Sequence, residues 1–428
     1  MPSIRKLLTD SCSLKKTLLV ATFIGNYFSV ANLLGQAATP SMPADRPLVK
    51  VTPEALAVHG RSYIFDGHND LPWVVRKEAS RSFDALDIAK PQPQIHTDIA
   101  RLKTGGVGAQ FWSVYVPVDT IATGAAHQTT MEQIEIVHAM IKRYPETFEL
   151  ALTSDDVKRI RARGKIASLI GMEGGHAIEN SLEKLRRLHA MGARYMTLTH
   201  SDSLDWADAC SDEPKCHGLS DFGRAVVREM NRLGMMIDIS HVSQETMQAA
   251  MDTSTAPIIF SHSSARTVAN HPRNVPDEIL KQLPADGGIV MVNFYSGFVV
   301  PESAENTRTM FERSRLLKKK YGGDEVAIKK ESAAFDLKFP TYAGSVHHIA
   351  DHIDHIVKVA GIDHVGIGSD YDGISKTPKQ LEDVSTYPVL TQVLLDRGYS
   401  EVDIHKIMSG NIMRVMQQVE TEASRLGR

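Results

Sequence analysis

The chain has few cysteines, no excess of either charge, and no membrane-spanning apolar run after residue 40. It contains three cysteines in 428 residues, and 48 Lys and Arg residues are balanced by 51 Asp and Glu residues. The balance gives no basic surplus of the kind that binds nucleic acid, and three cysteines leave no second pair for a zinc knuckle. With 42% hydrophobic and 23% charged residues, the composition suits a large soluble enzyme.

The first forty residues differ in composition from the rest. A basic start is followed by a mostly apolar stretch over 17–35 and by small residues over 36–38, which is the order of a secretory signal peptide. We therefore predict a signal peptide over 1–38, a linker over 39–58 and a folded domain over 59–420. The expected protein is exported, periplasmic or secreted. An uncleaved membrane anchor is the alternative.

Two cysteines and the last residues of the sequence bear on the expectation that the protein is exported. Cys210 and Cys216 lie in a polar loop over 208–218, and in an oxidising compartment a local disulfide is expected between them. Two free thiols are the alternative. Residues 424–428 form no apolar tail, so we expect neither a GPI anchor nor another stable membrane anchor.

Strand-like and helix-like patterns alternate along most of the chain. Apolar residues recur at helical spacing in 131–144, 181–191, 222–233 and 346–360. Such alternation with β-type runs favours a (β/α)8 TIM-like barrel over an open sheet. Residues 311–339 are charged and lack a strand pattern, which predicts a helical insertion beside the barrel.

Three histidines have a spacing that is compatible with a metal site, but the apolar pattern of the same helix argues against that interpretation. His348, His352 and His355 share one face of the predicted helix over 346–360, and their spacing is able to bind zinc. The isoleucines at 349, 353 and 356 define the apolar stripe of that helix, so we interpret the histidines as its solvated polar flank.

Five β-type runs end on a side chain that can bind metal. The run over 63–67 leads into His68 and Asp70, and the other four end at Glu173, His241, His262 and Asp370. A parallel barrel gathers the carboxyl ends of its strands at one mouth. The five runs therefore predict a metal site at that mouth.

The types of these residues indicate how they can bind metal ions. His68 and Asp70 lie two residues apart, so on an extended backbone both face the same side and can bind one cation. Glu173 carries two oxygens and can bridge two metals, while His241 and His262 can complete a second position. Taken singly, each has a plain alternative: a polar contact for the pair, a helix start for Glu173, and a hydrogen-bonded core position for each histidine.

Seven short segments carry a family resemblance. They are 66–73 (DGHNDLPW), 173–176 (EGGH), 199–201 (THS), 239–243 (ISHVS), 260–264 (FSHSS), 273–277 (RNVPD) and 368–373 (GSDYDG). Together they resemble the membrane (renal) dipeptidase family of zinc-dependent barrel metallopeptidases. The resemblance extends over roughly residues 60–418.

The resemblance implies a barrel with two Zn²⁺ ions per chain. His68 and Asp70 would bind one ion and His241 and His262 the other, with Glu173 as the shared catalytic carboxylate between them.

The resemblance also implies roles for three further residues. His200 would bind the scissile carbonyl, and Arg273 would pair with the free carboxylate of a dipeptide. Asp370 would contact the substrate and exchange protons between a metal-bridging hydroxide and the leaving amine. Without the family, these residues have other interpretations: a core histidine, a surface ion pair and a helix cap.

The expected function is that of an exported dizinc dipeptidase whose partner is a small dipeptide substrate. A homodimer is compatible with this expectation. The alternative is another barrel metal-dependent amidohydrolase, such as a cyclic amidase or a deaminase, and Arg273 favours the dipeptidase because it suits a free carboxylate. A non-catalytic binding protein with the same fold is a third interpretation, which the full set of ligands opposes.

Overall fold

Nine strands, all paired in parallel, form the centre of the protein, for which the computed structural model describes residues 45–322, 324–336 and 338–427. The strands are β1 (Ile64–Asn69), β2 (Val107–Ser113), β3 (Phe148–Leu150), β4 (Ile166–Glu173), β5 (Ala193–Thr197), β6 (Met236–Asp238), β7 (Ile259–Ser263), β8 (Ile289–Val292) and β9 (Val365–Ile367). Eight of them close into a barrel, because β2 pairs with β4 and β1 pairs with β9. The short strand β3 pairs with the start of β4 beside the ring.

Helices surround this barrel. The first half of the described chain contains α1 (Pro53–Gly60), α2 (Leu71–Ala79), α3 (Ile99–Thr104), α4 (Thr120–Thr123), α5 (Ala126–Arg143), α6 (Ser154–Ala162), α7 (Leu182–Ala190), α8 (Asp221–Leu233) and α9 (Gln244–Thr253). The second half contains α10 (Asp277–Leu280), α11 (Leu283–Asp286), α12 (Ser296–Val299), α13 (Pro301–Tyr321), α14 (Glu325–Asp336), α15 (Val346–Ala360), α16 (Tyr387–Asp396), α17 (Glu401–His405) and α18 (Asn411–Arg425). Two 3-10 turns and one π-helical turn complete the description: Gly175–Ile178, Ile362–His364 and Lys406–Gly410.

The core has two parts. A large apolar cluster lies between the strands and the surrounding helices, so strands such as β4 are buried along their whole length. A second cluster includes Phe65, Phe111 and Leu169 in the strands and Val415 in α18. It fills the barrel below the carboxyl ends of the strands and leaves those ends for polar side chains.

The structure agrees with most of the predicted elements. All five β-type runs contain strands, and the four helical patterns correspond to α5, α7, α8 and α15. The charged segment over 311–339 contains the second half of α13 and all of α14, in agreement with the predicted helical insertion. The predicted signal peptide lies outside the described residues. Within the described residues, no helix is long and apolar enough to span a bilayer.

The amino-terminal boundary of the folded region differs from the prediction. Helix α1 begins at Pro53, inside the segment predicted as a linker. The Thr52 side chain accepts a hydrogen bond from the Ala55 amide at 3.1 Å and caps the helix, and Pro53 suits its first turn. Because Ala55 and Val58 are buried, the helix packs as part of the folded domain.

Cys210 and Cys216 are free thiols, so the disulfide expected between them is not formed. The Cys216 thiol points to the Gly218 carbonyl, with sulfur and oxygen 3.2 Å apart. Its backbone amide donates to Asp208 Oδ1 at 3.1 Å. Cys210 lines a separate cavity beside Arg266.

The interpretation of the α15 histidines as a solvated flank is wrong for two of the three. His348 and His352 are 5% and 0% exposed. His352 Nδ1 accepts the Ala265 amide at 3.0 Å, and its Nε2 lies 3.0 Å from the Val299 carbonyl. These backbone partners let the ring enter the core, and His355 instead contacts Asp277 at 2.8 Å.

Candidate metal centre

The residues predicted for the site meet at the carboxyl ends of the strands. Glu173 is the last residue of β4, and His68 and His262 lie near the ends of β1 and β7. Three members follow their strands by three residues: His200 after β5, His241 after β6 and Asp370 after β9. Asp70 directly follows β1, and Arg273 lies in the loop after β7. The parallel arrangement thus brings together side chains that are far apart in the sequence.

The Glu173 carboxylate lies at the centre of this group. Its Oε1 is 3.1 Å from His241 Nε2, 3.4 Å from His262 Nε2 and 3.6 Å from His200 Nε2. Its Oε2 is 3.5 Å from His68 Nε2. Four imidazole nitrogens therefore face the two oxygens of one buried carboxylate.

A second carboxylate group adjoins His68. His68 Nε2 lies 3.3 Å from Asp70 Oδ2, and Asp370 completes a group of three possible metal ligands with these two residues. Asn293 donates to Asp370 Oδ2 at 2.8 Å. Since all three members of the group are buried, their charges are weakly screened by solvent.

Burial and neighbouring charges shift the ionisation of these groups. Burial lowers the pKa of His241 and of His262 well below the ordinary value, so both rings are neutral and able to bind metal. Burial raises the pKa of the Asp370 carboxyl well above its usual range, and the charges of Asp70 and Glu173 add to that rise. Asp370 is therefore suited to holding a proton.

The raised pKa of His68 shows that the surrounding carboxylates favour a positive charge at this position. Burial alone would lower its pKa, but Tyr195, Glu173 and Asp70 raise the pKa well above the ordinary value. His68 Nε2 and Asp70 Oδ1 are buried and have no hydrogen-bond partner among the described residues. A cation bound beside His68 Nε2 would balance the same carboxylates and would use these unsatisfied atoms.

A cavity of about 490 Å³ opens over the cluster. Arg273 lies in its wall, where its Nη1 donates to Ser263 Oγ at 3.2 Å and its Nη2 to the His262 carbonyl at 3.1 Å. The Arg273 Nε has no hydrogen-bond partner among the described residues and is buried. The cavity thus combines the carboxylate and histidine cluster with a fixed guanidinium group.

Two aromatic residues in the cavity wall were not among the residues predicted for the site. The ring of Tyr115 lies 4.8 Å from that of His200, and Trp73 packs edge-on against Tyr115 at 5.1 Å. Tyr115 follows β2, a strand that the β-type runs did not include. Recognising β2 in the sequence would have indicated Tyr115, because residues after barrel strands line the mouth.

Two residues of the site have a backbone conformation that is uncommon for residues other than glycine. His241 and Asp370 have φ values of 66°, in the left-handed region. Close to them, a Cβ atom on Gly373 would lie 2.1 Å from Asp70 Oδ2. Glycine is therefore required at 373, where the backbone passes directly beside the carboxylate.

The fold and the cluster together define a barrel protein of the metal-dependent hydrolase type. The chain belongs to the membrane dipeptidase family, peptidase family M19, whose sequence profile matches residues 53–427. This family membership agrees with the resemblance found in the sequence, and it identifies the chain as a member of a family of dipeptidases that are metallopeptidases.

A curated relative and several solved structures are similar to the chain. Dipeptidase verJ from Clonostachys rogersoniana is 39% identical over 367 residues, which cover 83% of this chain and 84% of that protein.

The probable dipeptidase PvdM from Pseudomonas aeruginosa has a TM-score of 0.75 and 24% identity, and the match covers 86% of this chain and 98% of that one. A metallopeptidase from Rhodobacter sphaeroides, solved with a phosphinate mimic of the dipeptide L-Ala-D-Ala, has a TM-score of 0.68 and 23% identity. That match covers 84% of this chain and 99% of that one. At these identities, the structural likeness establishes the fold.

Proposed function

We propose that the chain is an exported dizinc dipeptidase that hydrolyses the peptide bond of free dipeptides. The observation that carries this proposal is the approach of four imidazole nitrogens to the Glu173 carboxylate at 3.1–3.6 Å, beneath a cavity that also contains Arg273. Membership of a dipeptidase family supports the reaction, and the ligand types support zinc.

His68 and Asp70 would hold one Zn²⁺ ion, and His241 and His262 would hold the second. Glu173 would be shared between them, because its two oxygens face different histidines. A bound zinc pair supplies Lewis acidity and lowers the pKa of water toward neutrality. The protein residues then bind, orient and exchange protons with the substrate.

His200 is placed to stabilise the charge that develops on the scissile carbonyl oxygen. Its side chain is 20% exposed, its ring lies in the cavity wall, and its Nε2 faces the cluster. A donor fixed beside the reacting carbonyl stabilises the tetrahedral transition state more than the planar ground state.

Asp370 is the proposed proton carrier. It lines the cavity, and the Asn293 amide fixes one of its oxygens at 2.8 Å. Its raised pKa lets it accept the proton of the attacking water and then transfer that proton to the departing amine nitrogen.

Arg273 is the proposed anchor for the free carboxylate of the substrate. Two of its nitrogens are held by Ser263 and by the His262 carbonyl, so the guanidinium is fixed before the substrate arrives. A fixed guanidinium binds a carboxylate with directional hydrogen bonds. The Rhodobacter sphaeroides metallopeptidase, solved in complex with a phosphinate mimic of a dipeptide, supports the same substrate class.

A substrate panel with zinc tests the function. The purified chain, supplied with Zn²⁺, is assayed on L,L- and L,D-dipeptides, on their C-terminal amides, and on a cyclic amide such as dihydrouracil. We expect hydrolysis of free dipeptides, poor hydrolysis of the amides and no ring opening. Turnover of the cyclic amide with inert dipeptides would instead establish the alternative, a barrel amidohydrolase.

A further inference from the structure

We propose that two buried hydroxyl relays set the imidazole tautomers of His68 and His262, which makes Tyr195 and Ser261 positioning residues for metal binding. The inference rests on the proposed metal centre and deepens it. Each relay begins at the ring nitrogen that points away from Glu173. Each ends at a group that can only accept a hydrogen bond or already receives several donors.

The first relay runs from His68 through Tyr195 to a backbone carbonyl. The Tyr195 hydroxyl lies 2.8 Å from His68 Nδ1 and donates to the Gly67 carbonyl at 3.2 Å. Because a carbonyl can only accept, the phenol proton is directed to Gly67 and the phenol oxygen accepts from His68 Nδ1–H. Both side chains are fully buried, so water does not compete for these partners.

The consequence for His68 is a defined tautomer. In the neutral form of His68 that binds metal, the proton on Nδ1 leaves the Nε2 lone pair facing the cluster, and Nε2 lies 3.3 Å from Asp70 and 3.5 Å from Glu173. This is the nitrogen that a metal ion needs.

The second relay runs from His262 through Ser261 to Asp238. Ser261 Oγ lies 2.7 Å from His262 Nδ1 and donates to Asp238 Oδ2 at 2.6 Å. Its proton is therefore directed to the carboxylate, and its oxygen accepts from His262 Nδ1–H. The Nε2 lone pair of His262 then faces the cluster, where Nε2 lies 2.9 Å from His241 Nε2 and 3.4 Å from Glu173 Oε1.

Asp238 is held firmly at the end of this relay. Its Oδ1 accepts the amides of Ser240 and Ser261 at 3.0 and 2.9 Å, and its Oδ2 also accepts the Thr197 hydroxyl at 2.5 Å. These donors come from β5, β6 and β7 or the residues directly after them. The carboxylate thus joins three neighbouring strands and orients the Ser261 hydroxyl.

The two relays use different chemistry for the same purpose. Metal-binding histidines commonly donate their second ring N–H to an oxygen that fixes the ring, and removing such a partner typically weakens metal binding about 10- to 100-fold. In this chain, the partners are a tyrosine from β5 and a serine that directly precedes its histidine in β7. Neither Tyr195 nor Ser261 is proposed to touch metal or substrate.

The test compares zinc affinity in four variants of the full chain. Tyr195→Phe and Ser261→Ala each remove one relay. Their matched controls are Tyr371→Phe, which removes a buried hydroxyl bound to the Leu381 carbonyl at 3.0 Å, and Ser168→Ala, which removes a buried hydroxyl without a partner among the described residues. Zinc affinity is measured by competition with a chromogenic chelator, and the thermal midpoint of each metal-free protein is recorded beside it.

We expect zinc affinity to fall about 10- to 100-fold in Tyr195→Phe and Ser261→Ala and to stay near the wild-type value in both controls. The thermal midpoints of the metal-free relay variants should be close to those of their controls, because the relays act on the ligand rings. If one relay variant does not fold, the other still tests the proposal.

Two results have different meanings. A wild-type protein that binds no zinc would overturn the proposed metal centre itself. A wild-type protein that binds zinc, with relay variants of control affinity, would overturn the relays and leave the proposed function intact.

Discussion

Glu173 illustrates how one side chain connects several strands at the mouth of the barrel. It ends β4, it receives the Ser113 hydroxyl of β2 at 3.2 Å, and it faces histidines of β1 and β7. A buried carboxylate is costly unless positive or polar groups surround it. Its position therefore gives specific expectations for substitution.

Glu173→Gln should lose at least one metal ion and nearly all turnover. A neutral amide has one oxygen acceptor and cannot bind two cations as a carboxylate does. Metal content per chain after dialysis, together with kcat on a dipeptide, measures both effects. Glu149→Gln, which alters a surface ion pair with Arg159, is the control. A Glu173→Gln protein with the metal content and rate of wild type would contradict the shared-ligand assignment.

Arg273→Met should reduce kcat/KM on free dipeptides and have little further effect on C-terminal amides. Loss of one charge-assisted contact costs about 1.5–3 kcal/mol, or roughly ten- to a hundredfold in kcat/KM. The amides act as the internal control, because they lack the carboxylate that Arg273 would bind. Equal wild-type rates on free and amidated dipeptides would remove the anchor.

At the scale of strands and helices, the β-type runs identified in the sequence correspond to β1, β4, β6, β7 and β9, whereas β2, β3, β5 and β8 were not among them. In β2, Gly108 and Gln110 interrupt the apolar run. In the fold, a Cβ on Gly108 would lie 2.6 Å from Arg161 Nε, and Gln110 is buried with its amide directed to the Asp66 carbonyl. These residues satisfy tertiary contacts that periodicity does not encode.

The clustering of the proposed ligands was easier to anticipate from the sequence than the residues that contact their rings. His68, Glu173 and the other proposed ligands stand at the ends of recognisable runs, and all of them meet at the mouth. Tyr195 gave no such signal, because a tyrosine inside a strand is usually core. The buried histidines of α15 were misread for the related reason that a backbone partner is invisible in the sequence.

Asp286, at the end of α11, provides a prediction at the scale of elements. Burial raises its pKa to about 6, and its Oδ1 accepts the Ile258 amide beside β7 at 3.1 Å. The folded protein therefore holds this proton more tightly than the unfolded chain. Its contribution to stability is fully present below about pH 4 and is lost as the pH rises to about 6.

Asp286→Asn should remove that loss, since the amide oxygen still accepts from Ile258. We expect the variant to be more stable than wild type by about 1–3 kcal/mol at pH 7 and nearly equal to it at pH 4. Denaturant titrations at both pH values measure the difference. Asp155→Asn, at a side chain that is 87% exposed, is the control. Equal stability changes at both pH values would contradict the assignment.

At the scale of the whole molecule, the candidate metal centre depends on the closed barrel. Its proposed ligands come from β1, β4 and β7 and from the loop after β6, and the apolar cluster below them joins the strands to α18. A metal ion bound to ligands from several strands stabilises the folded state only, because the unfolded chain does not present them together.

Removal of metal should therefore lower the thermal midpoint of the protein as well as abolish activity. Binding of zinc at about 100 times its dissociation constant adds about 2.7 kcal/mol to folding stability. Elemental analysis should give about two zinc ions per chain, and scanning calorimetry before and after chelation should show the shift, with zinc restoring it. Full turnover in a metal-free protein would contradict the proposal.

The pairing of β1 with β9 also determines when this enzyme becomes competent during its synthesis. Asp66 accepts the amide and hydroxyl of Ser369 at 2.8 and 2.5 Å, across 303 residues of chain. A ribosome must therefore release nearly the whole polypeptide before the ring can close, and contacts of such long sequence separation form slowly. Until then the exposed edges of β1 and β8 can pair with other chains.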